Sequence, residues 1–297
     1  MEGFEQDVAS GERFEFGKNW SRFLSVLNDE RIEAAVQSLK DKLEVETLEG
    51  MSFLDIGSGS GLFSLAARKL GARVYSFDYD PNSVNCAREL RRRYFAEDDE
   101  WTIEQGSALD AEYLKSLDKF DIVYSWGVLH HTGSMYEALA NATIPVSDNG
   151  RLFISIYNDQ GVRSRIWKRL KKTYCSLPQL LKLPYTLITM MPYQFALFMA
   201  SFVLLRPIQF LKKRLRKADE RGMNWWHDIV DWIGGYPFEV AKPQEIIHFY
   251  RDRGFVIDRL YAVGDRLGCN EYILTNINDG GSIGHAEESP VKQKLSV

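Results

Sequence analysis

The sequence predicts an α/β protein with a mostly parallel sheet and an inserted helical cap. Three observations predict it. Short apolar runs alternate with amphipathic stretches between residues 51 and 157, and a strand–helix–strand rhythm means crossover connections within a parallel sheet. The first apolar run stops at a glycine-rich turn, Asp55-Ile56-Gly57-Ser58-Gly59-Ser60-Gly61. The rhythm then breaks after Tyr157 and resumes near Pro243, so a long segment of different character interrupts it.

Residues 1–48 read as an N-terminal helical arm or lid. Its first thirty residues are polar with Phe14, Phe16, Trp20, Phe23 and Leu24 as apolar anchors. Ile32, Ala35, Val36, Leu39 and Leu43 then recur at three- and four-residue steps, the period of a helix with one buried face. The aromatic-dense stretch Phe14–Trp20 fits either a lid or an arm docked on the core. Met51–Ile56 reads as a buried strand, Leu62–Leu70 as a helix ended by Gly71, and Arg73–Phe77 as a strand ending at Asp78. Asn82–Tyr94 reads as a helix with Pro81 at its start, where the missing N–H costs nothing. Trp101–Glu104, Phe120–Ser125 and Arg151–Ile156 read as strands and Met135–Ile144 as a helix. After the insertion, Gln244–Asp252 reads as a helix, and Phe255–Tyr261 with Glu271–Thr275 as a terminal pair of strands close enough to form a hairpin. The core therefore comprises 49–157 and 241–277, the cap 158–240, and a tail from 278, rich in Gly, Ser and charge, reads as disordered.

Composition narrows the class. The chain has 297 residues, 45% hydrophobic and 13% aromatic, which supplies a packed core and excludes global disorder. Cys86, Cys175 and Cys269 are widely spaced and form no CxxC pair; this argues against a disulfide framework or zinc site and for a reducing, cytoplasmic setting. The opening Met-Glu-Gly-Phe-Glu has neither the basic nor the apolar region of a secretory signal.

The glycine turn carries the chemistry. Gly57, Gly59 and Gly61 allow positive φ and leave no Cβ between backbone and ligand. Asp55 precedes them by two positions. A carboxylate there opposes a pyrophosphate at the helix N-terminus but suits a cofactor bearing an ammonium and a sulfonium. Asp78 ends the next strand, where a carboxylate accepts hydrogen bonds from ribose hydroxyls. The competing reading is NAD or FAD binding; the spacing here is GxGxG and not GxGxxG.

These residues carry a family resemblance. Phe53–Gly61 resembles the signature of class I S-adenosylmethionine-dependent methyltransferases, and Val74-Tyr75-Ser76-Phe77-Asp78-Tyr79-Asp80-Pro81 is similar to their second motif. Gln105-Gly106-Ser107-Ala108 stands where the family has a Gly-Asp-Ala contact to the adenine, with Ser in place of the acid. Asp121–His131 resembles the fourth motif. The resemblance implies a Rossmann-like seven-stranded sheet with an antiparallel last strand and S-adenosyl-L-methionine as cofactor. It implies cofactor contacts from Asp55, Gly57, Ser58, Gly59, Gly61, Asp78, Tyr79, Ser107, Ala108, Trp126 and Gly127. The nearest flavour is the quinone and small-molecule O-methyltransferase branch.

Methyl transfer from a sulfonium is an in-line displacement in which the protein mainly aligns the acceptor, and a base helps an oxygen acceptor lose its proton. His130 and His131 lie just past the fourth strand, at the crevice where open α/β sheets bind ligands. They are the candidate bases. A divalent metal held by His130, His131, Asp148 and Asp159 is the other option, but these residues show no compact ligand spacing.

Residues 161–217 hold thirteen Lys and Arg and no Asp or Glu, in a chain of net charge −4, around an uncharged stretch Leu183–Leu205. A transmembrane helix is opposed by Pro184, Pro192, Gln194 and basic flanks on both sides. A helical cap, packed on the core or resting on an anionic membrane, fits better than nucleic-acid binding because the centre is apolar. Tyr157, Asn158, Trp226, His227 and Tyr236 are the candidate acceptor contacts. The reading is an S-adenosylmethionine-dependent methyltransferase acting on oxygen of a small or lipid-linked, amphipathic acceptor. The alternatives are an RNA-modifying enzyme using the basic cap, or a cofactor-binding membrane-associated protein without transfer activity.

Overall fold

The computed structural model describes residues 2–17, 20, 24–25, 27–203, 225–277 and 292–295, with the side chains of residues 2, 197, 200–203, 225–228, 231 and 292–295 left aside. Helices α1 (Glu2–Ala9) and α2 (Asp29–Leu43) precede β1 (Ser52–Ile56), α3 (Leu62–Lys69), β2 (Arg73–Asp78), α4 (Pro81–Tyr94), β3 (Trp101–Gln105), α5 (Ala111–Ser116) and β4 (Phe120–Trp126). A 3-10 turn (Leu129–His131), α6 (Met135–Asn141) and β5 (Val146–Tyr157) follow. The cap contributes α7 (Val162–Ser176), α8 (Gln179–Val203) and α9 (Trp225–Gly234), and the chain returns through α10 (Pro243–Arg251), β6 (Phe255–Ala262), β7 (Cys269–Asn276) and β8 (Lys292–Leu295).

The strands form one sheet in the order β3-β2-β1-β4-β5-β7-β6-β8. Strands β1 to β5 pair in parallel. β7 runs antiparallel to both β5 and β6, which is the expected Rossmann-like sheet with its terminal hairpin. The order reverses between β1 and β4, so the loops leaving these strands splay apart and open a crevice at their carboxyl ends.

Strand side chains alternate between two buried layers, as the two-residue period requires. Phe53 faces the layer built on α2, α3 and α4, with Leu39, Leu65, Leu90 and Trp101. Leu54 and Ile56 face the opposite layer, with Leu139, Ile154 and Tyr250. A third cluster, including Trp167, Tyr174, Met190, Ile233 and Phe238, sits within the cap.

The helix signals act as their chemistry predicts. Asn28 caps α2 through Oδ1 to the Arg31 N–H, and all five apolar residues assigned to the inner face are buried. Asp80 caps α4 with Pro81 in the first turn. Four details differ from the expectation. α5 went unforeseen because its six residues bury only Leu114, too few for a periodic pattern. β5 begins at Val146, ahead of the Asp148-Asn149-Gly150 stretch that reads as a turn; Asn149 there has φ +59°. Pro184 and Pro192 sit inside α8 without ending it. Lys292–Leu295, in the tail expected to be disordered, pairs in parallel with β6. No described helix is long and apolar enough to cross a membrane. The end of the uncharged stretch, with Arg206 and the basic residues 212–217, lies outside the described residues.

Candidate active site

A cavity of about 870 Å³ opens at the carboxyl ends of β1, β2, β4 and β5. Its floor is the turn after β1. Gly57 has φ +74°, and a Cβ there would lie 2.3 Å from Val128; Gly61 has φ +79° and packs against the backbone of Ala87. The turn is tied to the neighbouring strand by Gly57 and Ser58 N–H bonds to the Phe77 carbonyl, at 2.8 and 3.0 Å. Ser58 Oγ is buried at the cavity wall and has no hydrogen-bond partner.

Three carboxylates surround this turn. Asp78 lines the cavity; its Oδ2 accepts the Gly59 N–H at 2.8 Å and its Oδ1 the Asp80 N–H at 2.8 Å. A carboxylate offers about four acceptor positions, so roughly half of them stay open to a ligand. Burial pushes Asp78 up to about 6. Asp80 accepts N–H bonds from Asn82 and, at 2.7 Å, from Gly17 of the N-terminal arm. Asp55 has a different place from the one expected. It points beneath α3, 2% exposed, and accepts the Ser64 hydroxyl at 2.6 Å. It shares the Phe53 side of β1, so it underlies the loop instead of lining the cavity, as does Gly61. Burial, followed by the Asp78 charge, raises Asp55 to about 7 against the bond from Ser64.

The rest of the wall follows the order of the loops. Tyr79, Ser107, Ala108, Trp126 and Gly127 all line the cavity. Ser107 Oγ accepts the Leu109 N–H at 3.2 Å, and Asn141 Nδ2 donates to the Ala108 carbonyl at 3.0 Å, which sets this loop. Trp126 is 41% exposed, with its indole N–H on Glu271 at 3.0 Å. Gly127 has φ +77° and donates to the buried Ser155 Oγ at 2.8 Å.

The two histidines part company. His130 is fully buried, stacked 4.1 Å from Tyr157 and 4.6 Å from His131, and lies behind the cavity wall. Burial drives its pKa far down, which favours the neutral ring. His131 lines the cavity. Its Nδ1 lies 2.5 Å from the Pro237 carbonyl oxygen. A carbonyl only accepts, so the neutral ring carries its proton on Nδ1 and its lone pair on Nε2. Around His131 stand Phe14, Phe16, Tyr157 and Trp232, with Phe16 at 5.1 Å and Tyr157 edge-on at 5.5 Å.

Of the candidate acceptor contacts whose side chains are described, Tyr157 alone lines this cavity. Asn158 is turned to the Gly264 carbonyl and to Asn270. Tyr236 lines a smaller adjacent pocket of about 330 Å³ with Lys168 and Lys172. Trp226 and His227 lie on α9, with side chains outside the described set.

Two parts of the site were signalled in the sequence only by their aromatics, without their partners. The arm crosses the cavity mouth: Arg13 donates to the His131 and Thr132 carbonyls at 3.1 and 3.3 Å and lies 5.0 Å over the Tyr79 ring, while Trp20 sits 3.1 Å from where a Gly59 Cβ would be. The segment 236–241 forms a strap. Tyr236 accepts the Phe14 N–H, Pro237 holds His131, Glu239 donates its N–H to the His130 carbonyl, and Ala241 donates to Tyr157.

The comparisons agree with this geometry. A family model described as a methyltransferase domain matches residues 28–255. The chain belongs to this family. It is a class I S-adenosylmethionine-dependent methyltransferase, and S-adenosyl-L-methionine is its cofactor. Among curated relatives, the ubiquinone biosynthesis O-methyltransferase of Methylobacterium sp. (strain 4-46) is 27% identical over 40% of the chain and 46% of that protein. The enzyme of the same name from Coxiella burnetii (strain Dugway 5J108-111) is 31% identical over 38% and 46%. The ribosomal protein L11 methyltransferase of Prochlorococcus marinus (strain MIT 9515) is 37% identical over 28% of each chain. The chain thus spans about half the length, or less, of the curated relatives it matches. In fold it is similar to magnesium protoporphyrin IX methyltransferase from Synechocystis PCC 6803, crystallised with S-adenosylhomocysteine, at TM-score 0.50 and 16% identity over 87% of this chain and 94% of that one.

The residues of this methyltransferase fit the cofactor on three counts. Gly57 and Gly59 add no side chain of their own to the cavity floor, Ser58 Oγ has no partner among the described residues, and Asp78 keeps open acceptor positions beside that turn.

Proposed function

We propose that this methyltransferase transfers the methyl group to a hydroxyl oxygen of a planar, amphipathic acceptor, small or lipid-linked, with His131 as general base. The observation that supports it is the pinned His131: with Nδ1 held by Pro237, Nε2 is the atom left for a substrate in the aromatic half of the cavity. Flat aromatic walls favour a flat ring by stacking. The names of the ubiquinone biosynthesis relatives support an oxygen acceptor on such a ring.

In this reading Asp78 accepts the ribose hydroxyls, Gly57, Ser58 and Gly59 receive the amino-acid end together with Trp126 and Gly127, and Tyr79, Ser107 and Ala108 flank the adenine. Asp55 acts from below the loop through its charge. S-adenosylmethionine supplies, when bound, a methyl carbon already activated by its sulfonium. The aromatic walls and His131 would hold the acceptor oxygen toward that carbon, and Nε2 would take the hydroxyl proton, with S-adenosylhomocysteine as the leaving group. The arm, closed by Arg13 and the Gly17–Asp80 bond, excludes water from the reacting atoms. The same reading sets the basic cap beside an anionic membrane, where such acceptors reside.

The test is incubation of the protein with methyl-labelled cofactor and host extract, followed by partition into lipid, small-molecule and RNA fractions. The expected product is an alkali-stable label in the organic or small-molecule fraction that is lost in His131→Ala. Label confined to RNA overturns this reading in favour of nucleic-acid modification.

A further inference from the structure

Helix α8 is more polar on its packed side than on its outward side. Leu180 is 90% exposed, Ile188 74%, Phe195 64% and Leu183 56%, with Leu187 and Met199 also exposed. With Leu187 and Ile188 adjacent, the others follow at steps of three, four or seven residues, one or two helical turns, so they form one stripe along the helix. From Leu180 to Met199 the stripe runs about 30 Å at the helical rise. Facing the core, Tyr185, Thr186 and Thr189 are satisfied locally, Tyr185 OH on the Leu170 carbonyl and Thr186 and Thr189 on carbonyls of their own helix, while Gln194 Oε1 is buried with no partner among the described residues. The preceding helix supplies charge. Arg163, Arg165, Arg169 and Lys172 on α7 are all exposed, and no acidic residue occurs between 161 and 217.

We propose that the α7–α8 hairpin is a docking surface for an anionic lipid bilayer, with α8 lying along the interface and its outward stripe sunk to the acyl boundary. Apolar side chains backed by Lys and Arg are the chemistry that binds such an interface. A second copy of this chain fits poorly, because pairing the stripes would bring two basic α7 helices together. A protein groove fits poorly as well: interfaces between proteins carry regular hydrogen bonds and aromatic or Arg anchors, whereas this stripe offers no hydrogen-bonding side chain between Leu180 and Met199, and hydrocarbon requires none. The remainder of the chain is acidic enough to give a net charge of −4 despite the thirteen basic residues. That asymmetry turns the hairpin toward an anionic surface and the catalytic core away from it. The inference rests on the cap surface alone, independently of the acceptor.

The test is flotation of the full chain with phosphatidylcholine vesicles, with and without phosphatidylglycerol, at low and high salt. Retention is expected only on the phosphatidylglycerol vesicles. It should fall about tenfold or more in Ile188→Glu/Phe195→Glu and in Arg163→Gln/Arg165→Gln/Arg169→Gln. Both variants should keep the wild-type melting temperature and cofactor affinity, because every altered side chain is exposed. Absence of retention overturns the proposal. So does retention unchanged in the folded Ile188→Glu/Phe195→Glu variant, a wild-type dimer in gel filtration that this variant dissolves, or binding that appears only with an acidic protein. Flotation needs no turnover, so failure of the acceptor assay and failure of docking are read separately.

Discussion

The Nδ1 of His131 donates to the carbonyl oxygen of Pro237 at 2.5 Å, across 106 positions of sequence. One bond joins the turn after β4 to the chain emerging from the cap. It fixes the tautomer of the ring and leaves Nε2 as the acceptor atom. Burial, helped by the charges of Lys171 and Arg13, lowers the pKa of this ring to about 3 against that bond.

His131→Ala should therefore reduce kcat by no more than about 10²-fold, because a ring with so low a pKa is a weaker base than one tuned to neutral pH, with cofactor affinity in calorimetry nearly unchanged. The pH–rate profile should lack the limb near 6.5 that an ordinary histidine gives. The folded pKa lies below the unfolded one, so unfolding takes up a proton between about 6.5 and 3. The stability linked to His131 is complete above that window and is lost as pH falls through it. An acid limb near 6.5 that disappears in His131→Gln would contradict this.

Asp55 and Asp78 behave in the opposite sense. Burial raises them to about 7 and about 6, so they destabilise the fold progressively as pH rises from about 4 through those values. A cationic ligand beside them reverses the effect. Binding of S-adenosylmethionine near pH 6.5 should release protons, measured as heats that change with the ionisation enthalpy of the buffer. S-adenosylhomocysteine lacks the sulfonium charge and should release fewer. In the free protein, Asp55→Asn keeps an acceptor for Ser64 and should melt increasingly above wild type between pH 5 and 8. The gain approaches about 4 kcal/mol if the full shift is expressed, at 1.36 kcal/mol per unit. Heats independent of buffer would refute the linkage.

Gly57→Ala meets two obstacles at once. Its φ of +74° disfavours any Cβ, and that Cβ would stand 2.3 Å from Val128 Cγ1. The substitution should cost about 1–3 kcal/mol of stability and weaken cofactor binding at least as much. Adding Val128→Ala removes the clash but not the strain, so the double variant should recover only part of both. Full recovery in thermal melts and calorimetry would show that the backbone conformation is not what glycine supplies here.

The readable parts of the molecule are those whose signals are local. The glycine turn, Asp78 and the strands before them announce themselves through residue type and a two-residue period. Asp55 could have been placed by the same period, since it shares the side of Phe53 and so must turn under α3. His130 and His131 are neighbours in sequence, and only the 3-10 turn decides that one faces the cavity and the other the core. Arg13, Val128 and Ser155 gave no signal because their partners are distant: Arg13 bonds across 118 positions, and Ser155 holds Gly127 from 28 positions away. The loop 236–241 was legible only as a run of aromatics and glycine, because its role lies in backbone bonds that any sequence could make.

That loop has a mechanical meaning. It starts where α9 ends and finishes beside Tyr157, with His131 hung between. Only two residues separate Gly234, the last of α9, from Pro237, whose carbonyl holds the His131 ring. The place of that ring is therefore set by backbone from the end of the cap as well as by the turn that carries it.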